Sequence, residues 1–67
     1  MNQESANRIL ASAPGTFTTL SEQGNNVIIT RRAAGQGFEV RTTQENGWTR
    51  IDEYDEAGNL LSEDYEH

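Results

Sequence analysis

Between residues 21 and 65, apolar and aromatic positions fall in runs of 6 to 9 residues separated by a recurring turn signal. Gly24, Gly35, Gly47 and Gly58 stand 11, 12 and 11 residues apart. Each follows two turn-tolerant residues, as in Glu22-Gln23-Gly24-Asn25 and Glu56-Ala57-Gly58-Asn59. Turn signals at this spacing, between runs rich in Val, Ile, Thr, Phe, Trp and Tyr, predict an antiparallel meander. The strands are expected at 16–20, 25–32, 36–44, 48–55 and 59–65. Ahead of them, Ala6, Ile9, Leu10 and Ala13 fall at i, i+3, i+4 and i+7, the single apolar stripe of a surface helix spanning 2–13. Asn2 is placed to cap it, Glu4 suits the positive end of its dipole, and Pro14-Gly15 ends it. Twelve residues make a marginal isolated helix, so this one must dock on the sheet. The fold class is α+β: an N-terminal α-helix packed on a five-stranded antiparallel β-meander.

The turns suit three-residue loops in which a type I turn ends in a left-handed Gly. That length sets Phe38 opposite Tyr54, Val40 opposite Asp52, Ile28 opposite Val40 and Tyr54 opposite Leu60. Ile28, Thr30, Phe38, Val40, Trp48, Tyr54 and Leu60 then share one face. A two-residue Asn46-Gly47 turn would oppose Phe38 to Asp55 and Val40 to Glu53, and a slip of one residue reverses every side chain. The aromatic grouping favours the longer loop. The opposite face would mix Phe17, Val27, Ile29, Ile51, Leu61 and Tyr65 with Arg31, Glu39, Arg41, Glu53 and Glu63. Such a face either curls onto itself at Gly bulges or meets a partner.

Length and charge narrow the picture. Sixty-seven residues allow one domain, 1–67 (helix 2–13, meander 16–65), with a thin core, because a chain this short buries only about 60% of its unfolded surface. Without Cys it has no disulfide or thiolate site, and its one His, His67, is terminal and expected to fray. Oligomerisation or an unusually regular fold is left to support the core. Eleven Asp and Glu face five Arg, and the imbalance is polarised: residues 1–50 carry +1, whereas 51–67 carry −7. That distribution argues against binding a phosphate backbone directly. No apolar run approaches the ~20 residues of a bilayer span, and Met-Asn-Gln-Glu-Ser lacks the basic-then-apolar order of a signal peptide. A soluble, cytoplasmic protein without membrane contact is expected.

Candidate chemistry is sparse. A calcium loop needs oxygen ligands at positions 1, 3, 5 and 12 with Gly at 6. Counted from Asp52, position 3 is Tyr54 and position 6 is Ala57, and counted from Asp55, position 3 is Ala57. No metal site or cofactor is therefore expected. There is no internal His, no Cys nucleophile and no phosphate-cradling Gly-rich loop, and a chain this small has little room for a ligand pocket. An enzyme is not expected. Phe38, Arg41, Trp48, Arg50 and Tyr54 could stack single-stranded bases, but net charge −6 favours aromatics in the core and an Arg50–Asp64 pair across the last hairpin.

What remains is the acidic hairpin. Asp52, Glu53, Asp55 and Glu56 on one arm and Glu63, Asp64 and Glu66 on the other form two lines of carboxylates with Arg50 among them. They are the candidate partner-binding residues. In size and charge the chain resembles nucleic-acid mimics encoded by phages and mobile elements, such as anti-CRISPR and other counter-defence inhibitors. That likeness implies a small acidic inhibitor occupying the basic surface of a nucleic-acid-binding protein. The alternative is a self-associating module, a homodimer through the second sheet face. Tyr54-Asp55-x-x-Gly58-Asn59-Leu60 also resembles the turn-strand unit of the RHS/YD-repeat family over about the last 20 residues, without the long array those proteins use. The helix-then-five-strand order is similar to the Sm-like topology, without that family's sequence motifs.

Overall fold

The computed structural model describes all of residues 1–67. Helix α1 covers Gln3–Leu10, and β1 (Gly15–Leu20), β2 (Asn26–Arg31), β3 (Phe38–Thr43), β4 (Thr49–Tyr54) and β5 (Leu60–Glu66) follow. The five strands form one antiparallel sheet in the order β1-β2-β3-β4-β5, so the expected meander is the observed fold. Asn2 caps α1, its side-chain oxygen accepting from the Ser5 N–H at 2.8 Å. The helix stops three residues short of the expected end. Ser12 turns its hydroxyl back to the Arg8 carbonyl at 3.0 Å, and Pro14 disfavours a helical Ala13. Ala13 therefore leaves the apolar stripe, Ala6 and Ile9 are buried, and Leu10 packs at the margin.

Three of the four turns have the expected length. In each, the residue before the loop donates to the one after it and accepts from the glycine. Ser21 pairs with Asn25, Gln44 with Trp48 and Asp55 with Asn59, and Gly24, Gly47 and Gly58 take φ of 83°, 88° and 86°. The β2–β3 connection is longer by one residue. There Arg32 donates to the Gly37 carbonyl, leaving a four-residue loop, 33–36, and Gly37 as well as Gly35 has positive φ. A Cβ on Gly37 would fall onto the Tyr54 carbonyl oxygen, with the Asp55 carbonyl carbon 2.9 Å away. Only glycine lets these backbones approach so closely, and the register follows from it.

That residue shifts β2 by one against β3. Val40 faces Ile29 rather than Ile28, and Arg31 faces Phe38. β1 and β2 move together, with Phe17 opposite Ile29. Because side chains alternate along a strand, Phe17, Val27, Ile29 and Arg31 come to the helix face, and Ile28 and Thr30 go to the other. A second irregularity, a bulge on β5 at Leu61, has a like effect. Tyr54 keeps Leu60 as its partner, but Glu53 faces Ser62 and Arg50 faces Tyr65. Tyr65 and Glu63 thereby join the helix face, and Asp64 faces Ile51 rather than Arg50. The central β3–β4 hairpin keeps its expected register, with Phe38 and Tyr54 stacked at 4.7 Å and 11° between planes.

The core gathers Ala6 and Ile9 of α1 with Val27, Ile29, Phe38, Val40 and Tyr54. Phe38 is fully enclosed. Trp48 and Leu60 share this face but stay about half exposed: Trp48 lies at the end that a helix of 8 residues leaves uncovered, and Leu60 stands on the edge strand. His67 lies at a tilt on Trp48, ring centres 4.7 Å apart. The second face is largely polar, with Ile51 buried apart from the core and Ile28 partly exposed. Glu39, Arg41, Glu53 and Glu66 lie around them. Of the residues expected on that face, Phe17, Val27, Ile29, Arg31, Glu63 and Tyr65 are on the helix side instead.

Candidate functional site

The carboxylates of the last hairpin fall into two groups. Asp52, Glu53, Asp55 and Glu56 hold the hairpin itself. Asp52 is buried on the helix face and accepts from the Arg50 Nε at 3.0 Å. Glu53, on the other face, meets Arg32 through both its oxygens, one contact at 2.9 Å. This hydrogen bonding holds the Glu53 carboxyl below the usual range. Asp55 opens the turn, accepting from the backbone N–H groups of Asn59 at 2.8 Å and Ala57 at 2.9 Å. Its carboxyl is likewise held low, chiefly by the Asn59 N–H.

Glu56 belongs to a knot the sequence did not disclose. Its carboxylate takes both arms of the Arg31 guanidinium, at 2.8 and 2.9 Å, and also the N–H groups of Gly35 and Gly37 at 3.0 and 3.1 Å. Arg31 is 5% exposed and further donates to the carbonyls of Gly37 at 2.9 Å and Leu10 at 3.0 Å. One ion pair thus ties together the end of α1, the β2–β3 loop and the β4–β5 turn. A bidentate pair of this kind fixes geometry as well as charge. Arg31 holds the Glu56 carboxyl below its usual range, with the Gly37 N–H contributing next. The signal in the sequence was alternation: once Val27 and Ile29 face inward, so must Arg31.

Glu63, Asp64 and Glu66 form the second group, on β5, every residue of which is exposed. Glu63 meets the Arg50 Nη2, Glu66 lies 3.4 Å from the Arg41 Nη1, and Asp64 stands outside any ion pair. Arg50 and Arg41 are each shared with a second carboxylate, Asp52 and Glu39. Charge on β5 is therefore only partly compensated. Exposed Leu60 and Tyr65 share the helix face with Glu63, whereas Asp64 and Glu66 lie on the opposite face. The seven carboxylates do not converge on one point, and no group of three or more is set to hold a metal ion.

Beside the helix the structure holds more space than the chain's length suggested. An open groove of about 920 Å³ runs between α1 and the uncovered half of the sheet, past Ile9, Phe17, Val27, Arg8, Arg50 and Asp52. It exists because α1 is short. No helix is long and apolar enough to cross a membrane. Comparison with known proteins finds no matching family model, no matching curated protein and no matching solved structure.

Proposed function

We propose that this chain is a small acidic protein-binding inhibitor which occupies the basic, nucleic-acid-binding surface of a protein partner, and that β5 is the strand that docks. The observation that carries this reading is the mixed, uncovered surface of β5. Glu63 presents a shared carboxylate beside exposed Leu60 and Tyr65 on the helix face, and Asp64 and Glu66 line the opposite face of the same exposed strand. A strand that served only for solubility would need no such apolar company. Asp64 and Glu66 project from the same face about 6.7 Å apart, a short line of negative charge of the kind a basic nucleic-acid-binding surface attracts. Asp52, Glu53, Asp55 and Glu56 hold the hairpin in shape and contribute to the field rather than to direct contact. Counter-defence inhibitors of the anti-CRISPR type are the functional class this reading names.

The test is displacement of labelled duplex DNA from a purified CRISPR effector complex and from an unrelated basic DNA-binding protein. The chain is expected to release DNA from one of them, with affinity that falls steeply as salt rises. Asp64→Arg combined with Glu66→Arg should weaken release by more than about tenfold. Failure to release DNA from either protein, or release unaffected by the double reversal, overturns the reading.

A further inference from the structure

The two edges of the sheet are chemically unlike. β5 is bulged and acidic, two features that discourage edge-to-edge pairing. β1 has neither. It reads Gly-Thr-Phe-Thr-Thr-Leu, with no charge, no proline and no bulge, and all six residues are exposed. At its end the Ser21 N–H donates to the Asn25 carbonyl at 2.9 Å, and along an antiparallel pair such bonding alternates by residue. Thr19 and Phe17 therefore direct their backbone groups to β2, whereas Leu20, Thr18 and Thr16 direct theirs to solvent. A regular, uncharged edge of this kind is a template for another strand.

We propose that β1 pairs antiparallel with β1 of a second copy of this chain, about a twofold axis through Thr18, joining the two sheets into one. The strand is complementary to itself in that register. Thr18 meets Thr18, and Thr16 meets Leu20 on either side, so outward backbone groups face one another and up to about six bonds form. On the helix face, exposed Phe17 comes beside Thr19 of the second copy, and on the other face exposed Leu20 comes beside Thr16. Charge selects this pairing over the others. Joining two β5 edges would set Glu63, Asp64 and Glu66 against the same residues. Pairing β1 on β5 would be head-to-tail, leaving a free edge at each end for open growth, and the bulge at Leu61 opposes it. In the β1 pair the acidic edges lie at opposite ends of ten strands, about 43 Å apart at ~4.8 Å per strand, well beyond a Debye length of about 8 Å. The pairing also leaves β5 open, so it stands independently of the proposed docking strand.

Sedimentation velocity of the full chain from about 5 to about 500 µM tests this, since self-association depends on concentration. The expected result is a monomer–dimer equilibrium. Thr18→Pro removes an N–H that already points to solvent, so the fold, followed by circular dichroism, should be kept while association weakens by at least about tenfold. Thr18→Lys leaves the backbone intact and sets two ammonium groups on the axis, and it decides the matter if the proline variant does not fold. Asp64→Ala should dimerise as readily as the parent. Amide exchange at Thr16, Thr18 and Leu20 should slow as concentration rises. A parent that stays monomeric at about 500 µM overturns the proposal. So does a Thr18→Lys variant that associates like the parent, or protection that appears on β5 instead.

Discussion

The two ends of the helix-covered face are built on different principles. Where the β2–β3 and β4–β5 turns lie, α1 packs on Phe38 and Tyr54, Arg31 and Glu56 tie three segments, and Gly37 presses against the Tyr54 backbone. At the other end the turns at 21–25 and 44–48 close on backbone hydrogen bonds, the groove opens, and Trp48 has only His67 over it. The same turn sequence thus serves in two settings, fastened and free. The stability of so small a domain, about 3–10 kcal/mol in total, is therefore expected to be concentrated at the fastened end.

The sharpest test of that contrast is Gly37→Val. Its Cβ would meet backbone that cannot swing aside, at a positive φ that a β-branched residue resists. Overpacking and strain together should cost more than about 3 kcal/mol and unfold most molecules, as read from denaturant melts. Next in size is the ion pair. Glu56→Ala should destabilise more than Arg31→Met, because it strands a buried guanidinium, whereas loss of Arg31 leaves a carboxylate that water can reach. The reverse order in chemical denaturation would mean that the pair is not what ties this end.

Acid should loosen the fastened end as well. Glu53, Asp55 and Glu56 all have carboxyls held below their ordinary values by Arg32, the Asn59 N–H and Arg31 respectively. A lower value in the folded state favours the charged form there, so the contribution is complete above about pH 4.5 and is lost as pH falls through the lowered values. Melting temperature should therefore drop below about pH 4, with the amides of Gly35, Gly37 and Asn59 the first to lose protection.

The free end should respond less. Gly24→Ala meets no atom within 4 Å and bears only the strain of φ 83°, so a loss of about 1 kcal/mol is expected, against unfolding for Gly37→Val. Smallest of all, Arg8→Ala removes an exposed ion pair with Glu4 and should change stability by less than about 0.5 kcal/mol. A large effect there would indicate that the helix is held by its outer charges rather than by Ala6 and Ile9.

The elements and their order were legible because glycines at 24, 47 and 58 punctuate strands of alternating character, and Phe38 and Tyr54 pinned the central hairpin. The faces were less legible. Gly35-Gln36-Gly37 offers two left-handed positions, and the pattern Val27-Ile28-Ile29 is apolar at every residue, so alternation there could not choose a register. The bulge at Leu61 hid in the same way, since Leu60 and Leu61 are interchangeable to a polarity count. The β2–β3 slip is settled by tertiary contact: Gly37 against Tyr54, and Arg31 against Glu56 and Leu10. The acidic site was visible as charge, but its division into hairpin-holding and free carboxylates depends on those same contacts.

The ion pair between Arg31 and Glu56 also orders events in time. Each hairpin joins neighbours in sequence, and such local contacts form early and fast. The helix is different, for its seat requires Phe38 and Tyr54, and its last turn is anchored through an arginine that itself waits on Glu56. In a chain made from its amino end, α1 is thus synthesised before the strands it packs on and is among the last of these elements to settle. Until residue 56 has emerged, Ala6 and Ile9 have no complete surface to cover, and the native seat of the helix waits on the finished meander.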